Sequence, residues 1–137
     1  MSASETVEFV AARLRVCPAP PTAGAVCLRL EGRLDGDSAL PLARVLLDAQ
    51  RRVDEIVLDL SRLAMLDVDG LRVLVDAARR AVRERCDLVL RAPSPPVLAL
   101  FRVTGLGHWA DLDERGCVNA TLPPRHRAVL AASVAPA

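Results

Sequence analysis

Two carboxylates, Asp67 and Asp69, stand just before Gly70 in the segment LDVDG. A short carboxylate before a helix accepts hydrogen bonds from the free N–H groups of the first turn. The positive end of the helix dipole also favours negative charge there. The pair could in principle hold a hard cation, but such sites want several oxygen ligands. Asp35 is the one further acid available to join them. Metal binding therefore ranks well below capping, and neither metal nor cofactor is expected.

Other chemistries lack their residues. Hydrolytic catalysis needs a nucleophile, a base and an orienting group. The histidines are His108 and His126, and neither sits beside an acid and a serine. No phosphate-cradling G-x-x-x-x-G-K-[ST] loop exists, and all 18 basic residues are arginine. The glycines do not form G-x-G-x-x-G after a strand. Cys17, Cys27, Cys86 and Cys117 contain no CxxC pair, so zinc spacing is absent. They read as reduced, largely buried thiols, with a Cys17–Cys27 disulfide across a hairpin as the minority alternative. No enzymatic activity is expected.

The elements around LDVDG must position it. Ile56, Val57, Leu58 and Leu60 form an apolar run of strand length. After Gly70, Leu71, Leu74, Val75, Ala78 and Val82 recur at helical spacing on one face. The loop thus joins a buried strand to an amphipathic helix. In open α/β sheets, ligand and partner sites collect at such strand ends.

Earlier in the chain, residues 6–16 alternate loosely and predict a first strand, and Pro18–Gly24 is a turn by composition. Ala25–Leu30 predicts a second strand, with Val26, Leu28 and Leu30 on one face, closing a hairpin. A helix over Ser38–Arg52 follows, capped by Asp35 or Asp37, with Leu42, Val45, Leu46 and Ala49 as its buried stripe. Asp87–Arg91 is a further short strand. Ser94 caps a helix that opens on Pro95 and Pro96 and ends at Gly105 and Gly107. Val97, Leu98, Leu100 and Phe101 face inward there. Cys117–Val118 suggests a brief strand, and Pro124–Val134 a final helix before a frayed end.

The 137 residues suit one domain with a real core. That core must be aliphatic, since the aromatics are two Phe and one Trp. A net charge of +1 gives no field that favours nucleic acid. The first residues lack a signal peptide's pattern, and no apolar run approaches the roughly 20 residues of a membrane span. A cytoplasmic protein with no direct membrane insertion is the expectation.

The stretch DLSRLAMLDVDGLRVLV resembles the signature of STAS domains, the fold of bacterial anti-sigma factor antagonists. That pattern reads roughly D-L-S-x-(apolar)-x-(apolar)-(apolar)-D-S-S-G-L-x-x-L. Asp59, Leu60, Ser61, Asp67, Gly70, Leu71 and Leu74 match it, while Val68 and Asp69 replace its two serines. Gly32, Leu34 and Asp35 resemble the family's G-x-L-D element, and Thr104, Gly105 and Leu106 its TGL helix ending. The resemblance covers about residues 7–110.

The resemblance implies an α/β fold in STAS topology: a small mixed sheet of four or five strands, with helices packed mainly on one side. It implies a non-enzymatic bacterial regulator of transcription that acts through sigma factors. The partner would be an anti-sigma factor with a histidine-kinase-like ATPase domain. The contact residues would be Asp35, Asp67, Val68, Asp69, Gly70 and Arg72. In the family a partner kinase phosphorylates the serine before the glycine, so Asp69 occupies the phosphoacceptor position. Asp69 either mimics phosphoserine or only caps the helix; the cap is preferred, because one carboxylate is an imperfect phosphate. Two alternatives stand beside this function: a STAS subunit docking on an ATPase of a transport or signalling assembly, and a small-ligand-binding domain.

Overall fold

The computed structural model describes residues 9–122, apart from Ala12 and Ala23. In chain order it contains β1 (Phe9–Ala11), β2 (Leu14–Thr22), β3 (Ala25–Leu34), α1 (Gly36–Gln50), β4 (Glu55–Leu66), α2 (Val68–Glu84), β5 (Asp87–Arg91), α3 (Pro95–Val103), a 3-10 turn (Gly107–Ala110) and β6 (Cys117–Asn119). The expected first strand over 6–16 divides into β1 and the start of β2; its residues 6–8 lie outside the described residues, as does the expected helix Pro124–Val134.

The strands lie in sequence order, β1 to β6. β3, β4 and β5 run parallel, while β1–β2, β2–β3 and β5–β6 pair antiparallel. The mixed sheet is as expected; counting both three-residue strands brings it to six. Alternation along β4 buries Ile56, Leu58 and Leu60, and leaves Val57 and Asp59 partly accessible. Leu28, Leu30, Leu88 and Leu90 extend the buried face across the neighbouring strands. The opposite face is polar: Cys17, Arg29, Asp59, Arg91 and Cys117 stand in one register row. There Arg91 donates to Asp59 at 3.0 Å and contacts Cys27 Sγ at 3.1 Å.

Three expectations need correction. Pro18–Thr22 is strand rather than turn. The register of β2 against β3 shifts between Ala19 and Thr22, so Pro20 and Pro21 fall at an irregularity, where a missing N–H is tolerated. The turn itself falls at Gly24, φ +82°. The four cysteines are free, as the preferred reading has it, but only Cys86 is buried; Cys17 lies opposite Arg29 and Cys27 opposite Ala19, so the thiols of the minority disulfide are diagonal. On α2, Leu71, Leu74 and Ala78 are buried as read, but Val75 and Val82 are only half-buried; Val73, Ala77 and Ala81 are buried instead.

The reason for that rotation lies in the next helix. α1 packs along α2, and its Gln50, 1% exposed, donates to the Ala77 carbonyl at 2.8 Å. Arg80 Nε donates in turn to Gln50 Oε1 at 3.1 Å. The neighbour covers the small-residue flank and leaves the Val75 flank open. Further on, Phe101 and Trp109 meet edge to face at 5.3 Å between ring centroids and plug the core under α3.

Candidate functional site

β3 and β4 end side by side, Leu34 opposite Leu66, and each leads directly into a helix. The N-termini of α1 and α2 are therefore neighbours. Asp35 is the N-cap of α1: its Oδ1 accepts from the N–H groups of Asp37 at 3.0 Å and Ser38 at 3.3 Å. Ser38 closes a capping box, since its Oγ accepts from the Asp35 N–H at 3.0 Å. Its hydroxyl also donates to the Arg33 carbonyl at 2.9 Å, and the side chain is fully buried.

Asp67 is the N-cap of α2 and accepts from Gly70 N–H at 2.9 Å. Its own N–H donates to the Leu34 carbonyl at 3.2 Å, tying the two strand ends together. Asp69 is not the cap. It is the second residue of the helix, exposed, with its carboxylate beside Gly36 of α1. The sequence placed Asp67 and Asp69 equally at the helix start; the chain turns helical at Val68, so only Asp67 has the extended backbone a cap needs.

The six residues named from the sequence fall into two groups. Asp35 and Asp67 are half-buried and spend their oxygens on the helix ends. Gly70 is buried against β3 and β4. Val68, Asp69 and Arg72 are exposed, Val68 by 58%. The exposed surface at this tip is thus an apolar side chain, a carboxylate and an arginine on one turn and a half of helix, backed by two bonded acids. Arg33, 3.8 Å from Asp35, is the guanidinium paired to this acidic tip. Among the described residues no group of three acidic, histidine or cysteine side chains converges as metal ligands would.

A groove of about 820 Å³ continues from this tip along α2. Val68, Leu71, Val75 and Arg79 line one wall and Val103–Leu106 the other. Sequence reasoning missed it; the signal available was Val103, an apolar residue at the end of α3 that no neighbour covers.

A family model described as "Mlab, STAS domain" matches residues 21–114. The chain belongs to the STAS-domain family. Its fold resembles solved anti-sigma factor antagonists. To the antagonist SpoIIAA in its unphosphorylated form it has 26% identity and a TM-score of 0.57, over 69% of this chain and 84% of that one. To the phosphorylated form of the Bacillus cell fate determinant SpoIIAA it has 26% identity and a TM-score of 0.53, covering 69% and 86%. An anti-sigma factor antagonist from Mycobacterium paratuberculosis shares the fold at 21% identity and a TM-score of 0.52, covering 68% and 79%. This STAS protein is therefore related to bacterial anti-sigma factor antagonists. No helix among its described residues is long and apolar enough to cross a membrane.

Proposed function

We propose that this protein binds the ATPase domain of a histidine-kinase-like anti-sigma factor through the tip of α2, with Asp69 standing permanently where a relative would carry phosphoserine. The position of Asp69 carries this reading. The helix is already capped by Asp67, so the Asp69 carboxylate is not needed to start it. It is left exposed beside the first turn of α1. A carboxylate supplies one negative charge against about −1.5 to −2 for phosphoserine, so the mimicry is partial and affinity should be reduced rather than abolished. Val68 and Arg72 offer the direct contacts. Asp35, Asp67 and Gly70 hold the two helix ends in place behind them.

Replacement of the acceptor serine also favours a second reading. A STAS subunit docked on the ATPase of a transport or signalling assembly would need no phosphorylation at this turn. A pull-down separates the two: recovery of an anti-sigma kinase supports the first, a transporter ATPase the second. With the anti-sigma partner in hand, wild type, Asp69→Ser and Asp69→Ala are titrated against it. The mimic predicts tighter binding by the serine variant, which accepts the γ-phosphoryl of ATP on its new hydroxyl and then binds more weakly. Equal affinity of all three would refute it. Kinase and ATP should leave residues 61–76 of the wild type without phosphate. Ser61 is exposed but bonded to Asp59 at 2.6 Å on β4, and phosphate found there by mass spectrometry would count against the proposal.

A further inference from the structure

The sheet face turned away from the aliphatic core carries three of the four cysteines. Along β2 and β3, Val16, Leu28 and Leu30 are buried, so Cys17, Cys27 and Arg29 stand on the opposite face, where both thiols are half-buried. Cys117 is on the same face, but on β6, three strands from β3. Cys17 and Cys27 are cross-strand neighbours offset by two residues, since Cys17 pairs with Arg29 and Ala19 with Cys27. Such diagonal positions in an antiparallel pair have Cα atoms about 7–8 Å apart. That spacing disfavours a disulfide, because Cα atoms beyond about 7 Å are not bridged without moving the backbone. A cation between two thiolates reaches further, with two metal–sulfur bonds of roughly 2.3 Å in place of one sulfur–sulfur bond.

The surroundings suit the negative charge of two thiolates. Arg91 Nη2 lies 3.1 Å from Cys27 Sγ, and it also donates to Asp59 Oδ2 at 3.0 Å. Arg29, bonded to Glu31 at 2.7 Å, also faces Cys17 across the strand pair. Among the described residues no third acid, histidine or cysteine converges on the pair. The four-ligand shell that zinc takes is therefore not supplied here. Two soft donors suit an ion content with two ligands, and thiolates select copper(I). We propose that Cys17 and Cys27 together hold one soft, two-coordinate cation of the copper(I) class, with Arg29 and Arg91 as counter-charges. Each thiol gives its proton to solvent as its metal–sulfur bond forms. A monovalent ion between two thiolates leaves one net negative charge, which the two guanidiniums offset. Arg91 donates to the Cys27 sulfur as an outer-shell partner. The site shares no residue with the tip of α2, so the proposal does not depend on the partner reading.

The test is anaerobic titration of the reduced full chain with copper(I), in competition with a chromogenic copper(I) chelator. One ion per chain is expected. Bound copper should protect Cys17 and Cys27, but not Cys117, from alkylation read by mass spectrometry, a result that needs no variant. Cys17→Ser and Cys27→Ser should each remove the binding, while Cys117→Ser keeps it; circular dichroism checks that all three fold. Arg91→Gln should weaken binding about 10–100-fold. Either Cys17→Ser or Cys27→Ser binding like the wild type would overturn the proposal. So would equal alkylation of the three thiols in the presence of copper(I), or copper-linked dimers in light scattering. Loss of two hydrogens from the pair on treatment with a disulfide oxidant would also overturn it, because sulfurs that close directly are nearer than their register places them.

Discussion

Gly70 rests directly on Leu34, where α2 leaves β4 and crosses the end of β3. A Cβ at Gly70 would collide with the Leu34 carbonyl oxygen and come within 2.7 Å of Leu34 Cγ and 2.9 Å of Leu66 Cδ1. This close approach lets the two helix N-termini sit side by side, and with them the acids of the site. Gly70→Ala would gain up to about 1 kcal/mol of helix propensity. The backbone overlap cannot be relieved by a rotamer change, so a net loss of about 1–3 kcal/mol is expected. Urea unfolding checks it; an unchanged midpoint would mean the helix start can shift freely.

Asp67 and Asp69 should separate cleanly in stability. Asp67→Ala removes the bond to Gly70 N–H and should cost about 0.5–2 kcal/mol. Asp69→Ala removes only a favourable charge from the first turn, worth about 0.3–1 kcal/mol at low salt and less as salt rises. Thermal melts of both variants at two ionic strengths compare them directly. A larger, salt-independent loss at Asp69 would restore it as the cap.

Leu74, fully buried on the inner face of α2, should not tolerate charge. Leu74→Asp places an unpaired carboxylate in the aliphatic core. The loss should exceed about 4 kcal/mol and leave the domain largely unfolded at room temperature. Far-ultraviolet circular dichroism reads the outcome, and a native melting temperature would contradict the assigned face.

Cys86 should control stability at alkaline pH. Burial first, then the nearby acids Asp87, Asp54, Glu55 and Glu84, push its thiol up to about 11 from an ordinary 9.0. The folded state therefore holds this proton more tightly than the unfolded chain. The stability it contributes is full below pH 9 and is lost as pH rises through about 11. The chain has no tyrosine and no lysine, so thiols dominate side-chain titration in that window. Stability should fall between pH 9 and 11 in the wild type, and less steeply in Cys86→Ala. At neutral pH a thiol reagent should reach the half-buried Cys17, Cys27 and Cys117 well before Cys86, which is 1% exposed.

The sequence by itself determined the elements and the chemistry of the site. Apolar spacing located β4 and α2, the capping residues located the helix starts, and the run D-L-S…D-x-x-G-L carried the family. These signals are local: strand alternation, helical periodicity and a carboxylate near free N–H groups each act within a few residues. What surrounds an element is not local, and only the tertiary structure decided it. The buried flank of α2 turned toward Val73, Ala77 and Ala81 because α1 covers that side with Gln50, a polar residue from the end of another helix. Prolines 18, 20 and 21 read as a turn, yet they lie in β2, two of them where its register against β3 shifts between Ala19 and Thr22. Asp67 took the cap and left Asp69 free because β4 extends to Leu66, held in register with Leu34 by pairing with β3. One residue of strand length, fixed by a neighbour 32 positions earlier in the chain, chose which carboxylate serves the helix and which is left exposed.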